Sequence, residues 1–327
     1  MKAYHVYILS PQFPENAGIG NRKFELLTHI YSCINHKTVN PEIPLVLITD
    51  QNTLKYYDDW QLTGLYDEVV TDLHDDYPRD RISQNFWASP KLWAMSKLRA
   101  PFLIFDTDLV LNKPLARYAT DCDLLYLHRE TTATYPNIFD IVGPPGFVWS
   151  EDLVGCFQNT LPMNCAVTGI FNEQFKADYV RRYFEFVLDA PGEVQYTNPN
   201  SHRMHQCSAA QIVLEQWLLA ALAYYLATVA GIPTRTKAVV KALWTPDGLS
   251  PLDMDLRPGS EALAAEQGGT FFHLWGAKRF QNDPDHRLYE SVRRTLLRGR
   301  SIVEESPQYP VVRDVYDDII AQLTVGC

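Results

Sequence analysis

Pro101-Phe102-Leu103-Ile104-Phe105-Asp106-Thr107-Asp108-Leu109-Val110-Leu111 sets two carboxylates inside an apolar run. An apolar segment of this length reads as a strand buried on both faces. Side chains alternate along a strand, so Asp106 and Asp108 would share one side and Thr107 would take the other. Carboxylates are rarely buried without a partner. Two together on a buried strand require a cation, and oxygen ligands suit Mg²⁺ or Mn²⁺. The alternative is that the strand stops at Asp106 and the acids are solvated in a turn.

The segments around this stretch bear on that choice. Upstream, Tyr4 to Leu9 reads as a strand, Phe24 to Ile34 as a helix and Pro44 to Thr49 as a second strand. A helix-like segment and a short strand from Glu68 to Leu73 follow. Ser89-Pro90 opens the next helix, with Ser at the cap, Pro in the first turn and Leu92, Met95 and Leu98 about one turn apart. Strand and helix in alternation indicate an α/β fold with a mainly parallel sheet. In such sheets ligands bind at the carboxyl ends of strands, where Asp106 and Asp108 stand.

Downstream the alternation loosens. Asp123 to Leu127 is strand-like, and Thr131 to Thr160 is rich in Pro, Gly and aromatics and reads as long loops. Met163 to Phe171 is apolar, Glu173 to Leu188 helical, and Ala190 to Gln206 polar and turn-rich. Ser208 to Thr228 forms a long apolar helix that contains Glu215 and Gln216. Thr270 to Leu274 is a strand, and helices at about Pro284 to Leu297 and Val311 to Leu323 follow.

The 327 residues are 46% hydrophobic, enough for a sizeable core. The formal net charge of −10, with no basic run to offset it, argues against a nucleic-acid partner. The six cysteines contain no Cys-x-x-Cys pair, so neither a zinc site nor a redox dithiol is expected. Trp217 to Ile232, the most apolar stretch, falls short of the roughly 20 residues a spanning helix needs. The first ten residues do not form a signal peptide. A cytoplasmic location is expected, and work at a membrane surface is compatible with it.

Four segments in order resemble glycosyltransferase family 8, the glycogenin-like and bacterial lipopolysaccharide sugar transferases of the A-type fold. Pro90-Lys91-Leu92-Trp93 leads into Phe105-Asp106-Thr107-Asp108, similar to the family's Lys-Leu helix and Asp-x-Asp strand. Met163-Asn164-Cys165-Ala166-Val167 is similar to Asn-x-Gly-Val, with Ala166 in the Gly place. Glu215-Gln216-Trp217-Leu218-Leu219 is similar to Asp-Gln-x-x-Leu, with Glu for Asp. His273-Leu274-Trp275-Gly276-Ala277-Lys278-Arg279 is similar to His-x-x-Gly-x-x-Lys; Lys278 comes one residue early and Arg279 takes the family's Lys place.

The resemblance implies one Rossmann-like glycosyltransferase A-type domain over about 1–280, with a mixed, mainly parallel sheet. Insertions would fall near 131–160 and 190–207, and 281–327 would be a helical C-terminal extension. Asp106, Asp108 and His273 would bind Mn²⁺ or Mg²⁺ and so hold the diphosphate of a nucleotide sugar, usually a uridine one (UDP). Ile8, Ser10, Lys91, Thr107, Gly276, Lys278 and Arg279 would bind the donor. Asn164 and Glu215 would hold sugar hydroxyls, and Gln216 would lie near the reacting carbon. Trp149 is a further candidate, for stacking on an acceptor sugar.

The expected activity is metal-dependent transfer of a sugar from a UDP-sugar to a glycan, lipid-linked or protein hydroxyl, with retention. Two other readings stay open. One is a nucleotidyltransferase acting on sugar phosphates, though no Gly-rich phosphate loop with a Lys follows the first strand. The other is a non-catalytic nucleotide-sugar-binding protein. Homo-oligomer formation is also left open.

Overall fold

The computed structural model describes residues 1–8, 23–83, 86–111, 114–130, 143–190, 211–239, 271–273 and 289–324. In chain order the first elements are β1 (Lys2–Val6), α1 (Lys23–Val39), β2 (Leu45–Ile48), α2 (Gln51–Asp59) and β3 (Glu68–Val70). Then come α3 (Ser89–Lys97), β4 (Phe102–Phe105), β5 (Leu109–Leu111), β6 (Leu124–Tyr126), α4 (Glu151–Gln158), β7 (Val167–Ile170) and α5 (Glu173–Val187). A π-helical turn, Val213–Trp217, runs into α6 (Leu218–Thr228). β8 (Thr236–Ala238), β9 (Phe271–His273), α7 (Tyr289–Arg298), α8 (Arg300–Glu304) and α9 (Tyr309–Thr324) complete the described elements. The architecture is α/β, with a mixed, mainly parallel set of strands and flanking helices.

The chain divides into two compact units. The first comprises Met1–Thr71, Phe105–Ala116 and Leu243–Cys327. Here β3, β2 and β1 lie side by side in parallel, with Ala3 opposite Leu45 and Val46 opposite Glu68. Every residue of β2 is buried, which its unbroken Leu-Val-Leu-Ile sequence requires. Asp50 caps α2 by accepting from the Thr53 amide at 2.8 Å. Helix α1 is buried from Phe24 to His36, so its polar side chains need internal partners. Asn35 Nδ2 donates to Leu111 O at 2.9 Å, and His36 Nε2 lies 2.9 Å from Ile43 O. Tyr31 Oη donates to Leu296 O at 2.6 Å, tying α7 to α1.

The second unit comprises Asp72–Ile104 and Arg117–Ala242. Its strand order is β4-β7-β6-β8. β6 runs antiparallel to β7, with Leu125 opposite Gly169, and parallel to β8. A Cβ on Gly169 would stand 2.8 Å from Leu103 Cδ2 and 2.9 Å from Leu125 Cβ, so this strand position accepts only hydrogen.

Three sequence expectations are corrected. The apolar run from Phe102 to Leu111 is not one strand. β4 ends at Phe105, the acids occupy a turn closed by Leu109 N donating to Asp106 O at 3.1 Å, and β5 pairs elsewhere, antiparallel to β9. Side-chain alternation therefore does not decide where the two acids point, and the turn alternative holds in its geometry. Ser89 is not the cap of α3: Ala88 is, and Ser89 Oγ lies 2.7 Å from Tyr183 Oη inside the protein. The stretch 131–160, read as loops, contains α4. Its Leu153, Cys156 and Phe157 are buried at helical spacing, and Glu151 and Asp152 favour its first turn.

Cys33, Cys122, Cys156 and Cys165 are free thiols, all buried. No helix among the described residues is long and apolar enough to cross a membrane.

Candidate functional site

The Asp106-Thr107-Asp108 turn lies in the first unit. Asp106 is half-buried, while Thr107 and Asp108 are buried, Asp108 to 4% exposure. A carboxylate this deep must be met by donors or a cation. Immediately after it, Leu109 is registered opposite His273 across the β5–β9 pair. The described part of His273 is its backbone. His5 on β1 is buried, with Nδ1 3.0 Å from Tyr66 Oη and Nε2 3.2 Å from Ser32 Oγ. Burial holds the His5 imidazole well below its usual range; His29 and His36 push the same way, and the Asp108 charge opposes them. Among the described residues no group of three His, Cys, Asp or Glu forms a metal-binding cluster. The third expected ligand, the His273 imidazole, lies outside that set.

Ile8 is half-buried just after β1, beside Tyr7, whose hydroxyl donates to Glu25. Ser10, Gly276, Lys278 and Arg279 lie outside the described residues.

The second unit brings Lys91, Asn164 and Glu215 into one buried polar network. Lys91 Nζ donates to Glu215 Oε1 and to Cys165 O, both at 2.8 Å. Lys91 is buried, so it is not the solvated residue that a first-turn helix lysine usually is. Glu215 sits in the π turn. A π turn displaces backbone carbonyls from the ordinary helical ladder, and such turns gather at functional sites. Glu215 O accepts from Tyr179 Oη at 2.7 Å, and Gln216 O accepts from the Met163 amide at 3.1 Å. Gln216 is half-buried and Glu215 only 2% exposed.

Asn164 precedes β7. Its Oδ1 accepts from the Ala166 amide at 3.0 Å and its Nδ2 donates to Glu130 Oε1 at 2.7 Å, which fixes the amide orientation. Glu130 and His128 are functional candidates that sequence reasoning missed. Both follow β6 and both are buried, with His128 Nε2 3.8 Å from Glu130 Oε1. The available signal was an acid just after an apolar run, Leu124 to Glu130, as at Asp106. Trp149 does not stand free for stacking. It stacks on Phe186, with ring centroids 5.5 Å apart, and meets Phe147 and Phe157 edge-on.

A family model described as a family of unknown function (DUF6734) matches residues 8–230. The chain belongs to that family. The DUF6734 match takes in Lys91, Asp106, Asp108, Glu130, Asn164, Glu215 and Gln216, whereas His273 lies beyond it. No curated protein matches the sequence. Among solved structures, this DUF6734 chain is similar to the glycosyltransferase GlyE of Streptococcus pneumoniae TIGR4, with a TM-score of 0.38 and 10% identity over 98% of this chain. It spans 64% of the length of that structure. A second similar structure is mouse xyloside xylosyltransferase 1 in its apo form, with a TM-score of 0.37 and 6% identity, covering 73% of this chain and 84% of the other.

Proposed function

We propose that the chain is a metal-dependent glycosyltransferase that moves a sugar from a UDP-sugar to a hydroxyl acceptor, with retention at the anomeric carbon. The observation that carries the reading is the β5–β9 register. It sets His273 opposite Leu109, the residue that follows Asp106-Thr107-Asp108, although 164 positions separate them in sequence (273 − 109). Two carboxylates of a tight turn and a histidine on the strand paired beside it form a donor set suited to Mn²⁺ or Mg²⁺. The residues fit such an ion, with Asp106, Asp108 and His273 holding it. Bound there, it would supply Lewis-acid neutralisation of the departing diphosphate.

This chain's own residues do the rest. Thr107, buried between the two acids, keeps the turn shut. Lys278 or Arg279 would add positive charge toward the diphosphate, and Gly276 would admit the backbone close to it. Ile8 and Ser10 would meet the base and ribose. In the second unit, Lys91 acts through Glu215: it balances that carboxylate's charge and aims it, rather than reaching the donor itself. Glu215 and Asn164 offer acceptors and donors to sugar hydroxyls, and Gln216 lies near the reacting carbon.

Calorimetric titration of UDP with Mn²⁺ and with a chelator, repeated on Asp108→Asn, tests the reading. Binding that needs Mn²⁺ and disappears in the variant is expected. Equal binding in chelator, or none under either condition, removes the metal assignment and with it this function.

A further inference from the structure

Glu130 is a buried acid without the partner that a buried acid ordinarily has. Only 8% of its side chain reaches solvent. Among the described residues, Oε1 accepts from the neutral Asn164 amide at 2.7 Å and stands 3.8 Å from His128 Nε2, too far for a hydrogen bond. The adjacent cation does not serve it: Arg129 Nε donates to Tyr126 Oη at 3.1 Å and Nη1 to Leu161 O at 2.7 Å. The other buried cation of this network, Lys91, is given to Glu215 and Cys165 O. The Glu130 backbone is also pinned, its amide donating to Pro162 O at 2.9 Å. Held this way, Glu130 keeps Oε2 for an outside donor.

We propose that Glu130 is a specificity-determining residue that receives a hydroxyl of the transferred sugar on Oε2, with Asn164 Nδ2 donating its second hydrogen to the same hydroxyl oxygen. A hydroxyl is one donor and an acceptor at once, and a carboxylate oxygen beside an amide N–H matches both. The inference rests on the glycosyl-transfer reading and adds to it a residue that the family resemblance did not supply. The interaction is a charge-assisted hydrogen bond made away from bulk water, so it discriminates between sugars rather than merely adding affinity.

The experiment is calorimetry in Mn²⁺ with UDP and with UDP-glucose, UDP-galactose and their 2-acetamido counterparts, on wild type and Glu130→Gln. The Gln side chain keeps an acceptor for Asn164 and loses the negative charge. The tightest UDP-hexose is then compared with its 2-, 3-, 4- and 6-deoxy forms. Wild type should prefer that UDP-hexose to UDP, and one deoxy form should lose roughly ten- to a hundredfold in affinity. Glu130→Gln should bind UDP within about twofold of wild type but bind the hexose and that deoxy form equally. If Glu130→Gln keeps the full preference and the full deoxy penalty, or if wild type binds UDP and every UDP-hexose equally, the Glu130 assignment fails while the donor site stands. If wild type binds no UDP at all, both fail. Should the Gln variant unfold, Glu130→Asp with the same deoxy series decides, because a shortened carboxylate must also lose the penalty.

Discussion

Lys91 Nζ lies 2.8 Å from Glu215 Oε1 with both residues buried, which joins the first turn of α3 to a π turn 124 positions later. Removing one partner of such a pair leaves an uncompensated buried charge, which costs about 3–5 kcal/mol. Lys91→Met should therefore destabilise strongly in urea unfolding. Lys91→Met with Glu215→Leu should regain most of that loss, since replacing a whole buried pair with apolar groups is often neutral. A double variant no more stable than the single one would mean that the Cys165 carbonyl, not Glu215, is what Lys91 chiefly serves.

Asp50 offers a smaller and purely local test. Its carboxylate caps α2 through the Thr53 amide at 2.8 Å. Asp50→Ala should lower stability by about 1 kcal/mol, read as a shift in urea midpoint without a change in slope.

Gly169 is a packing test. An added methyl would meet Leu103, Leu125 and Phe171 at 2.8–2.9 Å. Overpacking of this kind costs about 1–3 kcal/mol, so Gly169→Ala should lower the melting temperature measurably.

Stability should fall on mild acidification. Burial holds His5, and to a lesser degree His36, below the ordinary value of 6.5. Above that value both rings are neutral folded and unfolded, so they contribute no pH dependence. As pH falls through 6.5 the unfolded chain takes up protons that the folded chain refuses, and stability drops until the folded values are reached. Urea midpoints measured at pH 7.5, 6.5 and 5.5 should decline in that order, and His5→Gln should flatten part of the slope. A midpoint that does not move over this range contradicts the burial argument.

The limits of sequence reading differ from segment to segment. Leu45–Ile48 and Val167–Ile170 were legible as strands because full burial demands an unbroken apolar run. Helix α4 was not, because Pro144, Pro145, Gly146 and the aromatics before it dominate the local signal. Phe102–Leu111 looked continuous because hydropathy does not register a turn whose flanking runs are both buried. Glu130 was missed for a different reason. One acid after a strand is ordinary, and only the Asn164 amide beside it makes it a candidate.

By itself the sequence determined the α/β class, through apolar runs alternating with amphipathic helices, and it singled out Asp106 and Asp108 as acids set between buried segments. Those properties are local: strand burial and helix periodicity are written in neighbouring residues. The tertiary structure alone decided that the acids occupy a turn, that Leu109 faces His273, and that the charge of Lys91 is spent on Glu215. Burying a charge is tolerable only when a partner arrives from elsewhere in the chain. Which partner arrives depends on the packing of distant elements, and no local pattern records it.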